Sequence, residues 1–210
     1  MSKESKPAGV ILAGGRASRM GGMNKALVPL AGEPLVAHVI RRLRPQVGQL
    51  MISSDGSESS DSEFEAFGLP LVPDLLKRYR GPLSGLYAAL HHLAEGGGET
   101  SLLLCPCDAP FVPLDLAARL QSANGGTEHP VAVVSWRGVL QPTFTLWHTS
   151  HLGVVQEIAV SEGDSGLKQV LGLLPHVVVE WEACEPPPFY NVNSPGELKA
   201  ARGWLDLDQD

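Results

Sequence analysis

Four short stretches of this sequence carry residue types that could do chemistry at a spacing that chemistry would need. The first is Leu12-Ala13-Gly14-Gly15, which continues through Arg16, Arg19, Gly21 and Gly22 to Asn24-Lys25. Glycines let the backbone approach a ligand closely and leave N–H groups free for phosphate oxygens. Arg19 and Lys25 supply charge against a triphosphate. The stretch has no G-x-x-x-x-G-K-[ST] pattern, and the adjacency of Gly14 and Gly15 breaks G-x-G-x-x-G. A flexible glycine loop with solvated cations fits the same composition.

The second stretch is Cys105-Pro106-Cys107-Asp108-Ala109-Pro110, just past the apolar Leu102-Leu103-Leu104. A carboxylate at the end of a buried strand sits where a hard divalent cation could use it, since Mg²⁺ often takes one or two carboxylates plus phosphate oxygens. A turn-forming Asp before Ala-Pro is the plainer alternative. The third stretch pairs Pro73-Asp74 with Gly81-Pro82-Leu83-Ser84-Gly85. Asp74 could bind a ribose or base, and Gly81 leads into a helix whose N-terminus could face an anion. A loop turn and a helix start would leave the same marks. The fourth is Asn191-Val192-Asn193-Ser194-Pro195. Two amides two residues apart on extended backbone point the same way, which suits polar recognition. Capping of the following helix is a second use of the same residues.

Charge is unevenly spread. The chain has 210 residues and a formal net charge of −7, which disfavours general nucleic-acid binding. Residues 1–80 hold 11 basic and 8 acidic side chains, whereas residues 81–210 hold 5 and 15. Ser5–Gly32 contains Lys6, Arg16, Arg19 and Lys25 and no acid. One cationic, glycine-rich stretch in an acidic protein suggests a local site for a small polyanion. Three cysteines are too few for a disulfide framework, and C-x-C with one distant Cys is poor zinc spacing, so buried reduced thiols are expected. His148 and His151 lie three apart without a matching carboxylate and are expected on the surface. Arg41, Arg42 and Arg44 are expected to form a solvated helix face. No Ser stands in a G-x-S-x-G context, which disfavours an α/β-hydrolase.

The elements that must position these residues follow from apolar periodicity and breakers. Strands are expected over Ala8–Ala13, Gln49–Ser53, Leu69–Pro73, Ser101–Cys105 and His176–Glu180, with a hairpin from Val131–Trp136 and Val139–Trp147 around Arg137-Gly138. Helices are expected from Pro34 to about Arg44, around Glu63–Phe67, and over Leu83–Leu93, Leu114–Gln121, Leu152–Ala159 and Ser165–Leu171. Ser194-Pro195-Gly196-Glu197 reads as a capping box opening a last helix. Ser53–Ser62 reads as a solvated loop. Strand, loop and helix in repetition imply one α/β domain over 1–210, with a mainly parallel sheet and one antiparallel strand. Ligands in such sheets sit at the carboxyl ends of the strands, so the loops near Ala13, Ser53, Pro73 and Cys105 should line one crevice. No apolar run approaches a membrane span, and Met1-Ser2-Lys3-Glu4-Ser5-Lys6-Pro7 leads into no secretion signal. A cytoplasmic protein without membrane partners is expected.

In their order along the chain, these stretches resemble the molybdenum cofactor guanylyltransferases, the MobA family. The resemblance rests on Leu12-Ala13-Gly14-Gly15, Arg19-Met20-Gly21 and Lys25, on Gly81–Gly85, and on Cys105–Pro110. Gln141-Pro142-Thr143 and Asn191–Pro195 complete it. It implies a Rossmann-like, three-layer nucleotide-diphospho-sugar-transferase fold. The implied reaction takes GTP and molybdenum-molybdopterin to the guanine dinucleotide cofactor and pyrophosphate, with Mg²⁺. Leu12, Ala13, Gly14, Gly15, Lys25, Ser53, Asp74, Gly81 and Asp108 would then lie on the nucleotide. Asp108 would also hold the metal, Arg19 and Lys25 would neutralise phosphate charge, and Asn191 and Asn193 would face the molybdopterin. Transient contacts with molybdenum-insertion proteins or recipient molybdoenzymes are further implied. Two positions depart from the family pattern: Asn24 stands where an aspartate is usual, and Ser53 where asparagine often is. A cytidylyltransferase acting on the same cofactor and a sugar-phosphate nucleotidyltransferase are the nearest alternatives. A nucleotide-binding carrier without catalysis is a third.

Overall fold

Period-two burial on the central strands sets the layers of this protein. The computed structural model describes residues 5–14, 24–76, 81–97, 100–124, 129–161 and 166–207. In chain order they form β1 (Ala8–Leu12), β2 (Pro29–Leu30), β3 (Glu33–Pro34), α1 (Leu35–Leu43), β4 (Gln49–Ser54), α2 (Glu58–Phe64) and β5 (Leu71–Pro73). There follow α3 (Pro82–Glu95), β6 (Ser101–Pro106), α4 (Leu116–Ala123), β7 (Val131–Trp136) and β8 (Val139–His148). The chain continues with α5 (Leu152–Val160), α6 (Leu167–Leu173), β9 (His176–Trp181) and α7 (Pro195–Leu207). Seven strands make one sheet in the order β5-β4-β1-β6-β8-β7-β9. The pairings β1–β4, β1–β6, β4–β5 and β7–β9 are parallel, and β8 runs antiparallel to both its neighbours.

Each central strand feeds two cores, because its side chains alternate across the sheet. Ile11, Leu103, Cys105, Ala132 and Val134 pack on one face, against Val36 and Val39 of α1 and Leu116 and Leu120 of α4. Val10, Leu102, Leu104, Val131 and Val133 pack on the other, against Leu86 and Leu90 of α3, Val155 of α5 and Val170 of α6. A smaller cluster of Val28, Leu30, Leu35, Phe111, Val192 and Ala201 seats α7 on β2 and on the loop after β6. Among the described residues, no helix is long and apolar enough to cross a membrane.

Several local expectations change. Helix α2 begins at Glu58, inside the stretch expected as loop. Its approach is stapled by Asp55, whose Oδ1 accepts the Ser57 N–H at 3.1 Å, and Phe64 anchors its end in the core. Pro34 does not open the first turn of α1. It is the residue before the helix and pairs with Pro29 across a tight hairpin turn at Ala31-Gly32, both at positive φ. His148 and His151 are buried: the Trp147 ring packs edge-on to His151, and His151 Nδ1 accepts the His148 N–H at 3.2 Å. Arg42 is drawn partly inward, donating to the Val112 carbonyl at 2.6 Å, so the arginine face is not wholly solvated. Cys105 and Cys107 are buried thiols, but Cys184 is exposed.

Candidate active site

The strand ends lock their loops in register before any side chain is considered. Beyond β1, the Ala13 N–H reaches the Ser53 carbonyl at 3.0 Å, and the Cys107 N–H reaches the Leu12 carbonyl at 3.1 Å. The Asp74 N–H reaches the Ser54 carbonyl at 3.0 Å. Ladder bonds thus continue into the segments that carry Gly14, Asp74 and Asp108. These segments open on one cavity of about 250 Å³. Leu12, Gly14, Ser53 and Asp74 line it from the strand ends, and Gly81, Pro82 and Gly85 from the start of α3. Lys25, Pro106, Cys107, Asp108, Thr143 and Asn191 close the other side.

Lys25 is the hub. Its Nζ donates both to Asp108 Oδ2 and to Asn193 Oδ1. Asp108 is buried, and burial pushes its carboxyl up from the ordinary 3.8, with the Lys25 ammonium pulling it part of the way back down. Asp108 Oδ1 is buried and has no hydrogen-bond partner among the described residues. The Asn191 Oδ1 at the same cavity is in the same condition. Such atoms are costly unless a ligand completes them. Burial and Asp108 also push the Cys105 and Cys107 thiols up, so neither is a thiolate at neutral pH.

The C-terminal segment is strapped across this site. The Val192 N–H donates to the Asp108 carbonyl at 2.9 Å, and Asn193 Nδ2 donates to the Asn191 carbonyl at 3.2 Å. On the opposite flank Asn24 Oδ1 accepts the Ala26 N–H at 3.1 Å and so holds the turn that presents Lys25. Its Nδ2 donates to Glu63 Oε2 of α2 at 3.1 Å. An aspartate there could still accept the Ala26 N–H but could not donate to Glu63, whose carboxylate it would face.

Leu12, Gly14, Lys25, Ser53, Asp74, Gly81, Asp108 and Asn191 thus line one cavity, and Asn193 touches it through Lys25. Ala13 does not line it: the side chain is in the core and the N–H is taken by Ser53. Gly15 and Arg19 lie outside the described residues. Reasoning from sequence missed Pro82, Gly85, Pro106, Cys107 and Thr143 as lining residues. Thr143 owes its place to a register shift between β7 and β8, where Val133 pairs with Thr145 but Val134 with Gln141. Pro142, lacking an N–H for the ladder, sits inside that shift and, within Gln141-Pro142-Thr143, is the residue that marks it in sequence. Gly85 had a stronger signal, closing the Gly81–Gly85 segment. A Cβ there would lie 2.5 Å from Leu12 Cδ2 and 2.6 Å from Ser53 Oγ, so only glycine lets α3 approach the strand ends this closely.

The profile of the MobA-like NTP transferase domain matches residues 9–178. The chain belongs to this family. A molybdenum cofactor guanylyltransferase of Mesorhizobium japonicum is 34% identical, covering 92% of this chain and 93% of the relative. One from Cupriavidus pinatubonensis is 38% identical, with 91% and 94% covered. Among solved structures, molybdopterin-guanine dinucleotide biosynthesis protein A of Archaeoglobus fulgidus superposes with a TM-score of 0.79 at 22% identity, over 95% of this chain and 99% of that one. A CMP:2-keto-3-deoxy-manno-octonic acid synthetase shares the fold at a TM-score of 0.70 and 18% identity, over 97% and 100%. This MobA-like transferase therefore has the nucleotide-diphospho-sugar-transferase fold and is a nucleotidyltransferase of molybdenum cofactor biosynthesis.

Proposed function

We propose that residues 1–210 act as one cytoplasmic guanylyltransferase domain, moving GMP from Mg-GTP to molybdenum-molybdopterin and releasing pyrophosphate. One observation carries this reading: the Lys25 ammonium bridges Asp108, on the loop after β6, to Asn193, on the segment before α7. A cation at that point touches both halves of a two-substrate site. The guanine end would rest against Ser53, Gly81 and Gly85, with Asp74 toward the ribose. The phosphates would run past the Gly14 backbone to Lys25, and the molybdopterin phosphate would arrive from Asn191 and Asn193.

The incoming phosphate oxygen is already ionised, so no general base is assigned. The barrier lies in bringing an anion to the α-phosphate of another anion while pyrophosphate leaves. This chain's residues meet it by alignment and by fixed positive charge. Asp108 Oδ1, hard, anionic and without a partner among the described residues, fits a divalent cation. Mg²⁺ bound there would supply further neutralisation of the phosphates. Among the described residues no group of three His, Cys, Asp or Glu could hold a metal, so nucleotide oxygens would have to complete its shell. Asn191, its amide oxygen buried and without a partner among the described residues, would take a donor from the pterin side.

The test is direct. Incubation with molybdopterin charged with molybdenum, Mg²⁺ and each nucleoside triphosphate should yield the guanine dinucleotide product by mass, with pyrophosphate, from GTP alone. Product from CTP instead, or GTP binding without pyrophosphate release, would overturn the reading.

Gly85→Ala probes the base end. The methyl would force Leu12 and Ser53 to rotate, and both line the cavity, so they yield into it. Stability should fall by only about 1–2 kcal/mol, while the KM for GTP rises about tenfold through misplacement of the base. An unchanged KM in the folded variant would remove the α3 start from the nucleotide site.

A further inference from the structure

The first turn of α7 contains a carboxylate that does more than cap its helix. In a capping box the glutamate reaches back to the N–H of the cap residue itself. Ser194 is the cap here, its Oγ accepting the Glu197 N–H at 3.3 Å. Glu197 Oε2 instead reaches one residue further back, taking the Asn193 N–H at 2.7 Å, together with the Ser194 hydroxyl at 2.9 Å. Asn193 is the residue whose Oδ1 accepts from Lys25 and whose Nδ2 fixes the Asn191 carbonyl.

The geometry points to Glu197 as a positioning residue that pins the Asn193 backbone where its side chain meets both Lys25 and the Asn191 carbonyl. The inference rests on the guanylyltransferase reading and deepens it, adding a residue that touches no substrate. The backbone around it is already held on the other side, where Val192 bonds to the Asp108 carbonyl. Glu197 grips the Asn193 backbone N–H, so its loss leaves Val192 in place and loosens the backbone from which the Asn193 side chain reaches Lys25. Carboxylate and amide oxygens both accept N–H and O–H donors, so glutamine can do the same work and alanine cannot.

Glu197→Ala and Glu197→Gln distinguish this from capping alone. In Glu197→Ala, kcat/KM for the molybdopterin substrate should fall about tenfold or more, as for a lost charged hydrogen bond, while the KM for GTP stays within about twofold because Asp108 still holds Lys25. In Glu197→Gln both constants should return to within about threefold of wild type. A second readout needs no substrate: acylation of Lys25, followed by mass spectrometry on intact enzyme, should quicken in the alanine variant and revert in the glutamine one. A lower melting temperature with wild-type kinetics and wild-type Lys25 labelling would reduce Glu197 to a helix cap and overturn the inference. So would glutamine failing to restore either readout. If the labelling pattern appears but wild-type enzyme transfers no guanylyl group, Glu197 keeps its positioning role and the proposed reaction is what fails.

Discussion

Asp108→Asn should lower kcat for guanylyl transfer by about 10³-fold or more, the scale of removing a fixed charge-stabilising group, yet leave the fold at least as stable as wild type at neutral pH. The two expectations share one cause. Burial raises the folded-state pKa of Asp108 above its ordinary 3.8 despite the Lys25 ammonium. A carboxyl with a raised folded pKa binds more protons folded than unfolded, so stability falls as pH climbs from the unfolded value through the folded one. Above its ordinary pKa the carboxyl is therefore held at a net cost to stability, and its Oδ1 has no partner among the described residues. Asparagine keeps the shape and drops the charge. Thermal denaturation from pH 4 to pH 8 should show the variant gaining on wild type as pH rises, with the difference vanishing toward the acid end. Near wild-type turnover in Mg²⁺ would strip Asp108 of its proposed metal role. A variant that loses stability most at pH 8 would refute the electrostatic account of the site.

The legibility of this site in the sequence follows from the range of the contacts involved. Val10-Ile11 and Leu102-Leu103-Leu104 are buried on both faces of a mainly parallel sheet, and continuous apolar runs advertise such strands without help from elsewhere. Once those strands are parallel, their carboxyl ends share one edge, and Gly14, Asp74 and Asp108 meet there by topology alone. Contacts set by tertiary partners left fainter marks. Glu58–Phe64 is polar for most of its length, and its helix is secured by the burial of Phe64 and the Asp55 staple rather than by periodicity. The burial of His148 and His151 depends on rings brought by the chain fold, including His129 stacked on His148 at 3.9 Å between centroids. The reach of Glu197 past its own cap to Asn193 is a matter of rotamer, and the capping pattern in sequence suggests the nearer bond.

Lys25→Ala should be the most informative second substitution, because it acts on both halves of the cavity at once. Loss of the ammonium removes charge opposite the phosphates and leaves Asn193 Oδ1 without this donor. We expect kcat to fall about 10²-fold and the KM for GTP to rise about tenfold, as when a charge-assisted clamp on a triphosphate is lost. Unchanged kinetics would remove Lys25 from the site. Stability should suffer too, by about 1–3 kcal/mol at neutral pH, since a mostly buried carboxylate loses its counter-charge while part of the pair still meets solvent. The pH dependence carries the sign. Without Lys25 the folded pKa of Asp108 rises further, so stability should fall more steeply with pH than in wild type. Adding Asp108→Asn to Lys25→Ala then removes the stranded charge, and the double variant should recover most of the stability lost by the single one. Additive losses in that cycle would mean that the two side chains are energetically independent, and the bridge joining the nucleotide and pterin sides would have no electrostatic basis.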